Sequence, residues 1–226
     1  MLSAFRNTLP TAIDRYFRQA SAYRDVLKEH GWNFRLAVVE GDSGNDDVWK
    51  RLYRTASRYN LECYISDATH GGPVFGSVVS AERFKALSKV GNRMLSLVQP
   101  EDDIVVYVES DLIWHERIML HLGAQVLDHD LDIVSPLVMA GDNFYDVWAF
   151  RGLDGAHFAP FKPYYHALHP MGLTLVNSVG SCLVMKGEVA RNCRIINDNC
   201  LVGFCEDARD KGYRVWVDSR MKVNHP

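Results

Sequence analysis

The run Ile104-Val105-Val106-Tyr107-Val108 leads straight into Glu109-Ser110-Asp111. It has no polar face and is too short for a helix. Its β-branched side chains suit a strand covered on both sides, as at the centre of an α/β sheet. The rest of the chain agrees, because short apolar runs alternate with stretches of helical period. A strand over 2–5 precedes a helix over 9–30, with Thr8 as its cap, Pro10 in its first turn and Gly31 at its end. In that helix Ile13, Tyr16, Phe17, Ala20, Tyr23 and Leu27 share one face. The same reading gives helices over 47–59, 81–98, 115–127, 188–192 and 206–211. It gives strands over 34–39, 61–66, 104–108, 133–138 and 213–217, with regular patterning over 173–185. Residues 141–172 are aromatic, Gly-, Pro- and His-rich and weakly periodic. So long an irregular stretch in a compact domain reads as a functional loop or an excursion from the sheet.

The length of 226 residues favours one domain. Apolar residues at 47% and charged residues at 23% exclude a disordered or fibrous chain. Lys plus Arg number 25 against 28 Asp plus Glu, a net charge of -3. A general coat for nucleic acid or an anionic membrane needs a basic excess, so only a local basic groove stays open. The five cysteines are odd in number and include no close CxxC pair. Reduced thiols are therefore preferred over a zinc set of Cys193, Cys200, Cys205 and His225. Neither a signal peptide nor an apolar run near the length of a membrane helix is evident. The expectation is a cytoplasmic protein with no integral membrane segment.

Four signals carry chemistry. Glu109 and Asp111 stand where a buried strand ends, the edge at which open α/β sheets bind ligands. Such acids hold a hard divalent cation, or else form an acidic turn that caps the following helix. Glu40-Gly41-Asp42-Ser43 also follows a strand; Asp42 suits a ribose hydroxyl or base N–H, but taken alone a turn that caps the next helix is the better account. Glu206 and Asp207 are expected in a helix's first turn, where the dipole favours carboxylates, and one of them could instead face a cleft as a base. His225 after the last strand is a candidate metal ligand or a solvated side chain. In the irregular stretch, Trp148 suits a sugar face and Arg151 a phosphate or acceptor hydroxyl, while Trp148, Tyr164 and Tyr165 would equally close a small core.

The order of these signals resembles the GT-A nucleotide-sugar glycosyltransferases across nearly the whole chain. Glu109-Ser110-Asp111 is similar to their Asp-x-Asp metal motif, with Glu in the first place. Glu40-Gly41-Asp42-Ser43 is similar to their nucleoside loop, and Val179-Gly180-Ser181 lies where many carry a Gly-Gly pair at the donor sugar. Glu206 through Val215 is similar to their Glu-Asp helix and following strand. Arg6-Asn7, the stretch from Asn143 to Arg151 and the Val-Gly-Ser-Cys strand also resemble the α-mannosyltransferases of fungal capsule assembly and their bacterial or viral relatives.

The resemblance implies one GT-A, Rossmann-like α/β domain with a mixed, mostly parallel sheet flanked by helices. Residues 1–112 would form its nucleotide-binding half and 113–226 its acceptor and catalytic half. It implies metal-dependent transfer from a nucleoside diphosphate sugar to a hydroxyl acceptor, whether a glycan, a lipid-linked sugar or a modified base. Mn²⁺ or Mg²⁺ would be held by Glu109, Asp111 and His225. Arg6, Asn7, Glu40, Asp42 and Glu109 would bind the nucleotide, and Gly180 and Ser181 the donor sugar. Trp148 and Arg151 would meet the acceptor, with Asp207 preferred over Glu206 as the catalytic base. A Mg²⁺-dependent phosphoesterase or nucleotidyltransferase would use the same acids, and a non-catalytic nucleotide-sugar-binding module would keep the cleft without turnover.

Overall fold

The computed structural model describes residues 1–6, 8–41, 46–68, 75 and 79–226. Strands β1 (Leu2–Phe5), β2 (Leu36–Glu40), β3 (Cys63–Asp67) and β4 (Ile104–Val108) form a parallel block. They are joined through α1 (Pro10–Glu29), α2 (Asp46–Arg58) and α3 (Ala81–Leu95). The second half adds α4 (Glu116–Asp128), β5 (Ile133–Ala140), β6 (Asn143–Phe144), β7 (Leu173–Val176) and β8 (Cys182–Lys186). It closes with α5 (Gly187–Asn192), α6 (Cys200–Asp210) and β9 (Val215–Asn224). The sheet order is β3-β2-β1-β4-β8-β5-β9-β7, with β6 paired to β5. Strands β1 to β5 and β9 run one way, while β6, β7 and β8 run against them.

This is the expected α/β domain, with β4 central and its residues Val105 to Val108 buried. Helix α1 packs against α2 and α4, and α3 against α6, so helices cover both faces. The order of the parallel strands reverses between β1 and β4. A crevice opens at such a switch point, beyond the carboxyl ends of the strands.

Three local expectations change. Thr8 does not cap α1: the N-cap is Leu9, without a side-chain bond, and Thr8 Oγ1 instead accepts from the Arg6 N–H at 3.2 Å. Helix α6 begins at Cys200, not at Glu206, because Leu201, Val202, Phe204, Cys205 and Ala208 are all buried in its packing, which includes α3. Glu206 and Asp207 therefore lie past the first turn, which contains no acid, and the helix-dipole account of them does not hold. Strand β9 runs on to Asn224, shifting register where Pro136 pairs with Asp218 and Leu137 with Lys222. Proline has no N–H for the ladder, so the irregularity falls where pairing is weakest.

Candidate active site

The topology brings distant loops to one edge. Strand β8 runs antiparallel to β4 with Cys182 opposite Val108, so the chain entering β8 must stand beside Glu109. The Glu109 N–H donates to the Ser181 carbonyl at 2.9 Å. The Ser181 hydroxyl donates to Asp146 Oδ2 at 2.8 Å. Gly180 is required here, since a Cβ would lie 2.5 Å from both Asp146 Oδ2 and Ala149 Cβ. Asp146 follows the β5–β6 hairpin, which folds the irregular stretch back over the strand ends.

Two chambers meet at Glu109. One, of about 320 Å³, is lined by Arg6, Gly41, Arg83, Ser110 and Asp111 among others. The second, of about 410 Å³, is lined by Tyr145, Asp146, Trp148, Gly180 and Ser181. Arg83, Leu87, Glu109, Cys200 and Leu201 belong to both. Glu109 is exposed to the cleft that both chambers share. The protein packed around its carboxyl, then the charges of Asp111 and Asp146, push its pKa upward, opposed by Ser181 and Arg83. Burial likewise raises Asp146, against the hydrogen bonds it accepts from Ser181 and the Ala149 N–H.

His225 is carried to this edge by pairing beyond β9. Ile113 and Asn224 exchange backbone hydrogen bonds at 2.7 and 2.8 Å, and the His225 N–H reaches the Met139 carbonyl at 2.7 Å. Its Nε2 then sits 3.3 Å from Asp111 Oδ2, and its ring stacks on Tyr145 at 3.8 Å between centroids. Asp111 Oδ1 is buried without a hydrogen-bond partner, while the Asp111 carbonyl accepts from Arg15 at 2.6 Å. An orphaned carboxylate oxygen beside an imidazole fits a hard cation. Among the described residues no three His, Cys, Asp or Glu side chains converge into a metal cage, so the protein itself offers a pair. All five cysteines are free thiols.

Other candidates take different places. Glu40 is buried at the end of β2 and does not line either chamber. Asn7 and Asp42 lie outside the described residues. Trp148 rests on Phe84 with centroids 4.6 Å apart, and Arg151 stands behind it, its guanidinium 5.6 Å from the ring centre. Tyr164 and Tyr165 join Phe144, Phe150 and Phe158 in a buried aromatic cluster, the structural alternative of the sequence reading. Asp207 Oδ2 accepts from the Arg194 N–H at 2.7 Å and from Lys211 at 2.6 Å; Glu206 meets Asn197 at 3.4 Å. Neither acid lines the cleft. Asp146, Tyr145 and Arg83 escaped sequence reasoning. Asp146 and Tyr145 lay in the quoted stretch from Asn143 to Arg151, but without periodicity nothing oriented them.

No protein-family model and no curated protein sequence matches the chain. Solved structures of S. aureus TarS are similar. The 1–349 form has TM-score 0.51 and 13% identity, covering 99% of this chain and 58% of that one. The same form in complex with UDP-GlcNAc has TM-score 0.54 and 12% identity, covering 99% and 56%. A longer TarS structure has TM-score 0.54 and 13% identity, with 35% of its chain covered. The present chain thus spans between a third and three fifths of those chains. At this identity the likeness establishes the fold, and the fold is the GT-A-like, Rossmann-related one that the order of the motifs resembles.

Proposed function

We propose that this chain transfers a sugar from a nucleoside diphosphate sugar to a hydroxyl acceptor with the help of Mn²⁺ or Mg²⁺. The observation that carries the reading is the meeting of Glu109, Asp111, Asp146, Ser181 and His225 at the switch-point crevice. Its fold is shared with a protein solved with UDP-GlcNAc. In this reading the chamber at Arg6 and Gly41 takes the nucleoside and diphosphate, and the chamber at Asp146, Trp148 and Ser181 takes the two sugars.

Asp111 and His225 would hold the metal, which neutralises charge on the departing diphosphate. Ser181 fixes one oxygen of Asp146 and so orients its carboxylate toward the chamber. A carboxyl raised by burial is the better proton acceptor, so Asp146 is suited to take the acceptor's proton or to anchor its hydroxyl. Asp207, the candidate from the sequence, would have to release Arg194 and Lys211 to do the same. Trp148 lines the sugar chamber with its ring packed on Phe84, so its exposed edge would border the acceptor.

The test is a thermal-shift panel of nucleoside diphosphates and their sugars, with and without Mn²⁺, followed by a product assay. One nucleotide should raise the melting temperature, and the metal should increase the rise; a ligand at 100 times its Kd contributes about 2.7 kcal/mol. Release of a nucleoside diphosphate together with a glycosylated acceptor completes the case. A flat response to every nucleotide under every metal would refute the reading.

A further inference from the structure

We propose a second binding site, outside the cleft, for a phosphate-bearing oligoanion in the groove between α1 and α2. The chain as a whole carries a net charge of -3. This groove nevertheless gathers Arg15, Arg18, Lys50, Arg51, Arg54 and Arg58 against only Asp14 and Asp47. It consists of two hollows of about 490 and 350 Å³ that share Arg51, Thr55 and Arg58 and so form one trough. Arg51, Arg54 and Arg58 fall on one face of α2 at helical spacing, and Arg15 and Arg18 are adjacent on α1.

The intramolecular partners account for little of this charge. Arg58 pairs with Asp14 at 2.7 Å, and Arg15 reaches the Asp111 carbonyl. Arg18, Lys50, Arg51 and Arg54 are exposed and make no ion pair among the described residues. Like charges held together on two helices repel, and an anion seated between them removes that cost. Guanidinium forks match phosphate oxygens two at a time, so the residue type selects phosphate over a diffuse counterion.

Shape and lining narrow the partner further. The groove is concave, and among the described residues its only apolar lining residue is Pro10. A membrane surface is flat and is gripped by apolar anchors beside the basic residues, which are missing from this lining. A single-stranded nucleic acid needs aromatic platforms for its bases, and no aromatic side chain among the described residues lines the groove. A chain of successive phosphates fits what remains. Because Arg15 lines the groove and also contacts Asp111 of the cleft, such a chain would lie alongside the cleft's mouth. The inference does not rest on the sugar-transfer reading.

The probe is linear inorganic tripolyphosphate, titrated into the protein by calorimetry in metal-free, low-salt buffer, with inorganic phosphate as the comparison. Tripolyphosphate should bind, weaken as salt screens the charges, and exceed inorganic phosphate by about tenfold or more in affinity. The Arg51→Glu/Arg54→Glu double variant should lose about tenfold or more of that affinity, and Arg51→Gln a smaller part. Both residues are exposed, so melting temperatures should stay put. Asp111→Asn, in the cleft, should bind the probe as the unaltered protein does. Equal binding by the double variant would place the probe in the cleft and overturn the site. No binding at low salt would do the same, as would binding only to phosphatidylglycerol vesicles, or equal affinity for inorganic phosphate.

Discussion

Asp111 keeps one buried oxygen without a partner at the mouth of a cleft, whereas Asp207 gives Oδ2 to two donors away from it. That contrast separates function from scaffolding one residue at a time. Asp111→Asn should abolish metal-stimulated transfer while leaving the melting temperature nearly unchanged, because Oδ1 has no hydrogen bond to lose and an amide can still meet His225 in place of Oδ2. Asp146→Asn should lower turnover by about 10²–10⁴-fold if its carboxylate accepts the acceptor's proton. Asp207→Ala should behave in reverse, with near-normal turnover and a stability loss of about 1–3 kcal/mol from an unpaired Arg194 N–H and a freed Lys211. Steady-state kinetics and urea unfolding of the three variants decide among these roles. A collapse of turnover in a well-folded Asp207→Ala protein would return the base to α6.

At the scale of elements, the approach of β8 to β4 builds the site. The entry to β8 turns through Ser181 in the left-handed region, at φ 57°, just after a glycine with no room for a side chain. Gly180→Ala should push Asp146 and Ala149 apart, lowering stability by about 1–3 kcal/mol and turnover along with it. A crystal structure or the turnover of the variant would check this; unchanged kinetics would mean that the position of Asp146 is immaterial. The parallel strands are readable from pattern: 104–108 appears at the same bounds, and the first helix differs by one residue at each end, while β6 in the irregular stretch is not foreseen. Helix α6 was misplaced because its first residues, from Cys200 to Cys205, are nearly all apolar and show no helical stripe.

For the whole molecule, two carboxylates held in their charged form set the response to acid. Burial pushes Asp218 up, yet the Arg220 fork at 2.9 and 2.7 Å and Gln125 at 2.8 Å outweigh it, leaving the carboxyl below its usual value. Asp102 is likewise lowered, its burial overcome by Arg35 and the Gln99 N–H. A depressed folded-state pKa contributes stability above the unfolded value, near 3.9, that is lost as pH falls through the folded value. Urea unfolding should therefore show stability declining as pH drops below about 4, and Asp218→Asn should flatten part of that decline. The alternation of apolar runs and helical periods determined the α/β class and the central strand, because each element must bury its own apolar face. The carboxylates at strand ends likewise make Glu109 and Asp111 candidates from the sequence alone. What only the tertiary structure decided was which groups face one another. Ser181 meets Asp146 across 35 positions of sequence, and Arg15 meets Asp111 across 96. Such meetings follow from strand order and direction, which local periodicity does not encode, since it reports whether a face is buried and not what buries it.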